Sequence, residues 1–311
     1  MLYLSILAGF GMLVLGGDGL VRGAVAIARH FHLSPLLIGL TLVGFGTSMP
    51  ELLTSVQAAL LGSPGIAVGN VVGSNIANVL LIMGAAVAIR PMITGRDSLV
   101  RDGGVMLAAT FFAIALFWWG EIGRPAGGLL VIGLLAYIAG TYLLERKRGA
   151  GEEAVHQEKP IALAWALHLT VGALGATLLG ANLLVTGAIE LAQSAGISET
   201  IIGLTLIAVG TSLPELVTGV MAALRGHSDV ALGNVIGSNI NNILGILGVT
   251  ALVKPIFVPA DLAAVDVAVM TGATLLLLLF AVTGFRLSRG EGFCLLTAYA
   301  GYIGYLAWIS V

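Results

Sequence analysis

Long apolar stretches alternate with short polar breaks along the chain, and the stretches have the length of membrane-spanning helices. A helix rises about 1.5 Å per residue, so about 20 mostly apolar residues cross the hydrocarbon layer. Ten such stretches are read: Leu2–Ala28, Pro35–Leu61, Ile66–Ile89, Gly103–Trp119, Ala126–Leu144, Ile161–Ser194, Thr200–Leu224, Val230–Val253, Ala263–Phe285 and Gly292–Ile309. The first lacks a charged leading region and is long and glycine-rich, so it is expected to stay as a span and not to be cleaved as a signal.

The breaks carry the orientation. With the N-terminus outside, the cytoplasmic loops hold eleven cations: Arg29, Arg90, Arg96, Arg101, Arg146, Lys147, Arg148, Lys159, Arg225, Arg286 and Arg289. Only Arg124 and Lys254 fall outside, with Arg22 inside the first span. Positive loops stay in the cytoplasm, so both termini are expected outside a cell (inner) membrane. The polar run Glu145–Pro160 then reads as a cytoplasmic tether. It divides the chain into a first half at 1–145, a linker at 146–160 and a second half at 161–311.

The halves repeat. At an offset of 164 positions, 29 of the 47 residues between Ile38 and Gly84 are identical to their partners. GLTLVGFGTSMPELLTSVQAALLG aligns with GLTLIAVGTSLPELVTGVMAALRG, and AVGNVVGSNIANVLLIMG with ALGNVIGSNINNILGILG. Five spans per copy is an odd number, so the second copy enters the membrane upside down. The expected fold is an all-α membrane protein. Its ten transmembrane helices form two inverted five-helix repeats, broken at the midplane, an architecture used by many secondary transporters.

Composition sharpens this picture. Of 311 residues 58% are hydrophobic and 10% charged, too few charges to cover a water-facing surface. A net charge of −2 without a basic stripe gives no sign of nucleic-acid binding, and the lone Cys294 excludes an intrachain disulfide. The 44 glycines, about twice the usual share, suit closely packed and broken helices.

The chemistry sits in the repeat. Glu51 and Glu215 occupy equivalent places near the middle of apolar spans, with no lysine or arginine nearby in either helix. A charge at the bilayer centre costs at least about 2.5–3.5 kcal/mol, so such acids mark ion pathways. Pro50 and Pro214 remove the helical partner of the Gly46 and Gly210 carbonyls. Thr47 and Ser48, and likewise Thr211 and Ser212, lie four and three residues before the acids, on one helix face. The following spans add Ser74 with Asn78 and Ser238 with Asn242, each pair four apart; Gly69, Gly73, Gly233 and Gly237 would allow close helix approach. Asn75 and Asn239 lie off that face and are expected to bond locally. Hydroxyls, carbonyls and carboxylates are hard oxygen ligands, suited to Ca²⁺, Mg²⁺, Na⁺ or K⁺. Two carboxylates balance one Ca²⁺ or two monovalent ions.

Together the paired motifs GTS-x-PE and GN-x-x-GSN-x-x-N resemble the sodium/calcium exchanger family of the cation/Ca²⁺ antiporters, over Ile38–Gly84 and Ile202–Gly248. The resemblance implies alternating access. It implies Ca²⁺ held by Glu51 and Glu215 with the Thr47 and Thr211 carbonyls. One Na⁺ site would use Glu51, Ser74, Thr211, Ser212 and the Ala208 carbonyl; its mirror would use Glu215, Ser238, Thr47, Ser48 and the Gly44 carbonyl. Asn78 and Asn242 would line the middle, and the long first and sixth spans would slide as the gate. Some relatives carry Asp where this chain has Asn242, so K⁺ co-transport is disfavoured and a third Na⁺ is harder to balance.

The expected activity is Na⁺/Ca²⁺ antiport, with Ca²⁺, Na⁺ and the lipid bilayer as partners, no protein partner required and no cofactor. The alternative is an H⁺/Ca²⁺ exchanger using the same two glutamates. A passive channel fits inverted copies less well, and no enzyme-like acid/base or nucleophile constellation is present. Elsewhere, Asp18 and Arg22 read as a local ion pair. Glu190, Glu199, Asp261 and Asp266 read as interfacial, and Trp118, Trp119 and Trp308 as interface anchors.

Overall fold

The computed structural model describes residues 2–31, 33–148, 162–194, 208–258 and 264–309. The long helices, in chain order, are α1 (Leu2–His30), α2 (Met49–Leu60), α3 (Pro64–Ala77), α4 (Gly104–Trp119), α5 (Arg124–Arg148), α6 (Leu163–Ser194), α7 (Leu213–Arg225), α8 (Ser228–Ile240), α9 (Ala264–Val282) and α10 (Arg289–Ile309). Among the described residues seven helices are long and apolar enough to cross a membrane, and an eighth is counted if Pro35–Thr47 and Met49–Leu60 form one span bent by 46°. Of the other two expected spans, Gly292–Ile309 falls within α10, whereas positions 200–207 of Thr200–Leu224 lie outside the described residues. Trp118, Trp119 and Trp308 are exposed, as anchors at a lipid interface would be.

Helix α5 continues to Arg148, past the expected start of the tether, and positions 149–160 of the tether lie outside the described residues. Glu145 is no solvated linker residue. It is buried, and its carboxylate accepts hydrogen bonds from the Ser34 amide at 3.1 Å and the Ser34 hydroxyl at 2.7 Å. Ser34 in turn caps the helix Pro35–Ile38 by accepting from the Leu37 amide.

Two compact units are present, and each draws on both halves of the sequence. One comprises residues 1–50 and 142–234, the other 51–141 and 235–311. In the first unit α1 lies along α6. By the 1.5 Å rise, their 29 and 32 residues span roughly 44 and 48 Å, well beyond the hydrocarbon thickness. The backbones nearly touch: a Cβ on Gly16 would sit 2.7 Å from the Thr177 amide nitrogen. Leu20, Ala24, Ile27, Ala28, Ile38, Val43, Ala166 and Ala173 form the core there. Asp18 meets Arg22 at 3.9 Å, as its spacing suggests, but its closer partner is Arg225 of α7, at 2.5 Å.

In the second unit, α3 and α8 do not end as ideal helices. They widen into π-helical turns at Asn78–Met83 and Asn241–Leu247 before resuming as Gly84–Ile89 and Gly248–Val253. Such inserts shift the side-chain register and often occur at functional sites. Among the described residues four two-residue strands tie the loops: β1 (Met92–Ile93), β2 (Glu121–Ile122), β3 (Ile256–Phe257) and β4 (Arg286–Leu287). β1 pairs antiparallel with β4, and β2 with β3. β3 is the counterpart of β1 at the 164-residue offset, so the two ribbons are reciprocal. The loops expected on the cytoplasmic side pair with each other, and so do the loops expected outside.

Candidate ion-binding site

The two acid-bearing segments break alike. Ser48 (φ −82°, ψ 8°) ends the helix Gly44–Thr47, and Ser212 (φ −89°, ψ 7°) separates Ala208–Thr211 from α7. The cause is the proline two residues on, which offers no N–H to continue the ladder. Each glutamate therefore heads the first turn of a new helix, where amide dipoles favour a carboxylate. Glu51 and Glu215 are both buried, at 1% and 2% exposure.

The hydroxyls split their work. Thr47 Oγ1 donates back to the Val43 carbonyl at 3.0 Å and lies 3.4 Å from the Gly44 carbonyl, which also accepts from the Ser48 amide. Such back-bonding is common for threonine in membrane helices. Ser48 instead reaches out of its own copy: its Oγ donates to Glu215 Oε1 at 2.9 Å. The other oxygen, Glu215 Oε2, has no hydrogen-bond partner among the described residues. Thr211 is half-buried and Ser212 buried, and Ala208, whose carbonyl is the expected Na⁺ ligand of that copy, opens the short helix Ala208–Thr211.

The helices after the acids hold them from behind. Asn70 Nδ2 donates to the Glu51 carbonyl at 3.0 Å, and Asn234 Nδ2 to the Glu215 carbonyl at 3.3 Å. These partners occupy the GN of GN-x-x-GSN in both copies; the motif named them, but spacing alone gave them no role. Asn70 also meets Ser55 Oγ at 2.9 Å, where the second copy has Gly219. Close approach is needed in the second copy: a Cβ on Gly233 would stand 2.5 Å from the Leu36 carbonyl oxygen. Gly69 and Gly73 have no such neighbour among the described residues.

Ser74, Asn78, Ser238 and Asn242 are all buried. Ser238 Oγ, Asn78 Oδ1 and Asn242 Oδ1 lack a hydrogen-bond partner among the described residues. An unsatisfied buried polar atom costs about 1–3 kcal/mol, and these oxygens are free to accept a donor or a cation. Asn75 and Asn239 do not bond locally as expected. Asn75 Oδ1 accepts from Asn242 Nδ2 at 3.4 Å, and Asn239 Oδ1 accepts from Asn78 Nδ2 at 3.2 Å. Their off-face position, about 100° away on the helix, turns them toward the opposite copy. Asp266, expected at an interface, accepts from the Tyr302 hydroxyl at 2.9 Å, and the Asp102 partner at the same offset accepts from Tyr137 at 3.0 Å. Glu199 and Asp261 lie outside the described residues.

Comparison with known proteins gives the chain a family. The sequence pattern of the family described as sodium/calcium exchanger protein matches residues 1–143 and 165–308. The second stretch begins at the 164-offset partner of the first. The chain is 37% identical to the putative antiporter CaxA of Alkalimonas amylolytica, over 96% of each chain. It is 36% identical to the sodium/calcium exchanger MaX1 of Methanosarcina acetivorans, over 99% of each. Among solved structures, the sodium-calcium exchanger NCX_Mj soaked with Na⁺ and Ca²⁺ superposes with a TM-score of 0.83 at 35% identity, over 96% of each chain.

Proposed function

The chain belongs to the sodium/calcium exchanger family, and on that premise we propose that it is a secondary active antiporter exchanging Na⁺ for Ca²⁺ by alternating access. The relatives are exchangers and antiporters by name, and NCX_Mj was soaked with these ions. Ca²⁺ is held by the carboxylates of Glu51 and Glu215 and the Thr47 and Thr211 carbonyls. Na⁺ uses the same acids with Ser74, Thr211, Ser212 and the Ala208 carbonyl in one site, and with Ser238, Thr47, Ser48 and the Gly44 carbonyl in its mirror. Asn78 and Asn242 line the middle.

The observation that carries this reading is the buried hydrogen bond from Ser48 of the first copy to Glu215 of the second. It joins a hydroxyl and a carboxylate that the mirror Na⁺ site shares. Ten spans in two inverted five-helix repeats, 1–145 and 161–311 around the 146–160 linker, are supported by the reciprocal strand pairing and by the two matched stretches. The proposed setting is the cell membrane with both termini outside, and α1 with α6 forms the sliding gate.

A tenfold Na⁺ gradient supplies about 1.4 kcal/mol per ion, so two or three ions drive a Ca²⁺ gradient of roughly a hundred- to a thousandfold before any voltage contribution. The test is Ca²⁺ uptake into proteoliposomes under an imposed Na⁺ gradient, and separately under an imposed pH gradient. The Na⁺ gradient alone is expected to drive uptake. Uptake driven only by the pH gradient would replace this reading with H⁺/Ca²⁺ exchange through the same glutamates.

A further inference from the structure

Four asparagines of the second unit, Asn75, Asn78, Asn239 and Asn242, form two relays of fixed polarity, each ending in a methionine. Asn75 Nδ2 faces Met270 Sδ at 3.9 Å, and Asn239 Nδ2 faces Met106 Sδ at 3.6 Å. Met106 and Met270 are themselves partners at the 164-residue offset, as are Asn75 and Asn239, and Asn78 and Asn242. A thioether sulfur accepts hydrogen bonds and cannot donate. The amide beside it must therefore present its NH₂, which turns its carbonyl oxygen the other way. That oxygen needs a donor. Asn242 supplies its NH₂ to Asn75 at 3.4 Å, and Asn78 supplies its NH₂ to Asn239 at 3.2 Å. With their amino groups engaged, Asn78 and Asn242 are left presenting Oδ1, and both oxygens are buried without a hydrogen-bond partner among the described residues.

We propose that Asn75 and Asn239 are positioning residues whose orientation is set by Met270 and Met106, so that Asn78 and Asn242 offer oxygen and never NH₂ to a passing cation. The inference rests on the exchange reading only in naming Ca²⁺ and Na⁺ as the cations. An amide rotated by half a turn would aim N–H hydrogens at a positive ion, so a fixed rotamer has direct value at a neutral ligand. A carboxylate, oxygen on both sides, needs no such control. The two relays also explain why methionines stand at equivalent buried places in the two copies: an apolar residue of similar size would pack there but leave the amide free to turn.

The experiment is a double-mutant cycle on the full-length protein in detergent, reading the Ca²⁺ dissociation constant by titration, and in proteoliposomes, reading KM and kcat. Met106→Leu keeps the volume and removes the acceptor. It is expected to raise the Ca²⁺ dissociation constant and KM about three- to tenfold, with kcat changed less than about twofold, since one hydrogen-bond-sized preference is lost. In an Asn78→Ala background the same Met106→Leu change is expected to have no further effect, because no amide remains to be turned. The mirror cycle uses Met270→Leu with Asn242→Ala, so a variant that fails to fold in one copy leaves the other to decide.

An equal loss in both backgrounds means that the methionine only packs, and overturns the proposal. So does an unchanged dissociation constant in both Met→Leu single variants. A wild-type protein that binds Ca²⁺ with the expected cycle but takes it up only under a pH gradient overturns the Na⁺-coupled reading while the relay stands. A wild-type protein that binds neither ion overturns both.

Discussion

Ser48→Ala isolates the bond that joins the two copies. Ser48 Oγ lies 2.9 Å from Glu215 Oε1, and the two residues are 1% and 2% exposed, so water does not readily substitute. A hydrogen bond to a charged group contributes about 1.5–3 kcal/mol. That corresponds to about ten- to a hundredfold in an equilibrium constant. The proposed ligand sets assign the Ser48 hydroxyl to Na⁺ and not to Ca²⁺. The Na⁺ concentration for half-maximal Ca²⁺ exchange is therefore expected to rise at least about tenfold, while KM for Ca²⁺ moves less than about threefold. The assay is radiolabelled Ca²⁺ flux in proteoliposomes with Na⁺ and Ca²⁺ varied independently, and Ser48→Thr, which keeps the hydroxyl, is the control. An unchanged Na⁺ dependence, or equal shifts for both ions, would refute the reasoning.

Other outcomes follow from the same geometry. Glu51→Gln and Glu215→Gln each remove one of two charges and are expected to cut Ca²⁺ flux by more than about a hundredfold, as a lost buried charge partner costs about 3–5 kcal/mol; flux near the wild-type rate in either variant would remove the site. Gly233→Val forces a side chain against the Leu36 carbonyl, so the melting temperature in detergent should fall by an amount matching about 1–3 kcal/mol. Asn234→Ala removes the donor to the Glu215 carbonyl and should cost about 1 kcal/mol of stability, read in the same melting assay. Asp18→Asn breaks the pair with Arg225, which is 47% exposed, and should change stability by no more than about 1 kcal/mol.

Much of the candidate site is legible in the sequence, because duplication makes chemistry visible. Glu51 and Glu215 stand out as buried acids with identical flanks, and the proline after each hydroxyl pair announces a break that Ser48 and Ser212 realise with nearly the same dihedral angles. Which hydroxyl faces where was not legible. Thr47 and Ser48 share a helix face, yet one satisfies Val43 behind it and the other crosses 167 positions to Glu215. That division depends on a neighbouring helix, and no local spacing encodes it. The same holds for Asn75 and Asn239: their off-face position suggests local bonding, whereas Asn242 and Asn78 of the facing copy are their partners. Periodicity of 3.6 also hides the π-helical turns at Asn78–Met83 and Asn241–Leu247, since an inserted residue leaves an apolar run apolar. Glu145 adjoins charged residues and so reads as part of a solvated tether, yet Ser34, 111 positions away, bonds its carboxylate.

The central claim is that Ca²⁺ and Na⁺ compete for one duplicated set of oxygens around Glu51 and Glu215. Equilibrium displacement tests it most directly: radiolabelled Ca²⁺ bound to the detergent-solubilised protein is titrated with Na⁺ at constant ionic strength, K⁺ replacing Na⁺ in the control. The account predicts complete displacement by Na⁺ with a Hill coefficient above one, no displacement by K⁺, and no Ca²⁺ binding in Glu215→Gln. Ca²⁺ that stays bound at saturating Na⁺ would contradict it.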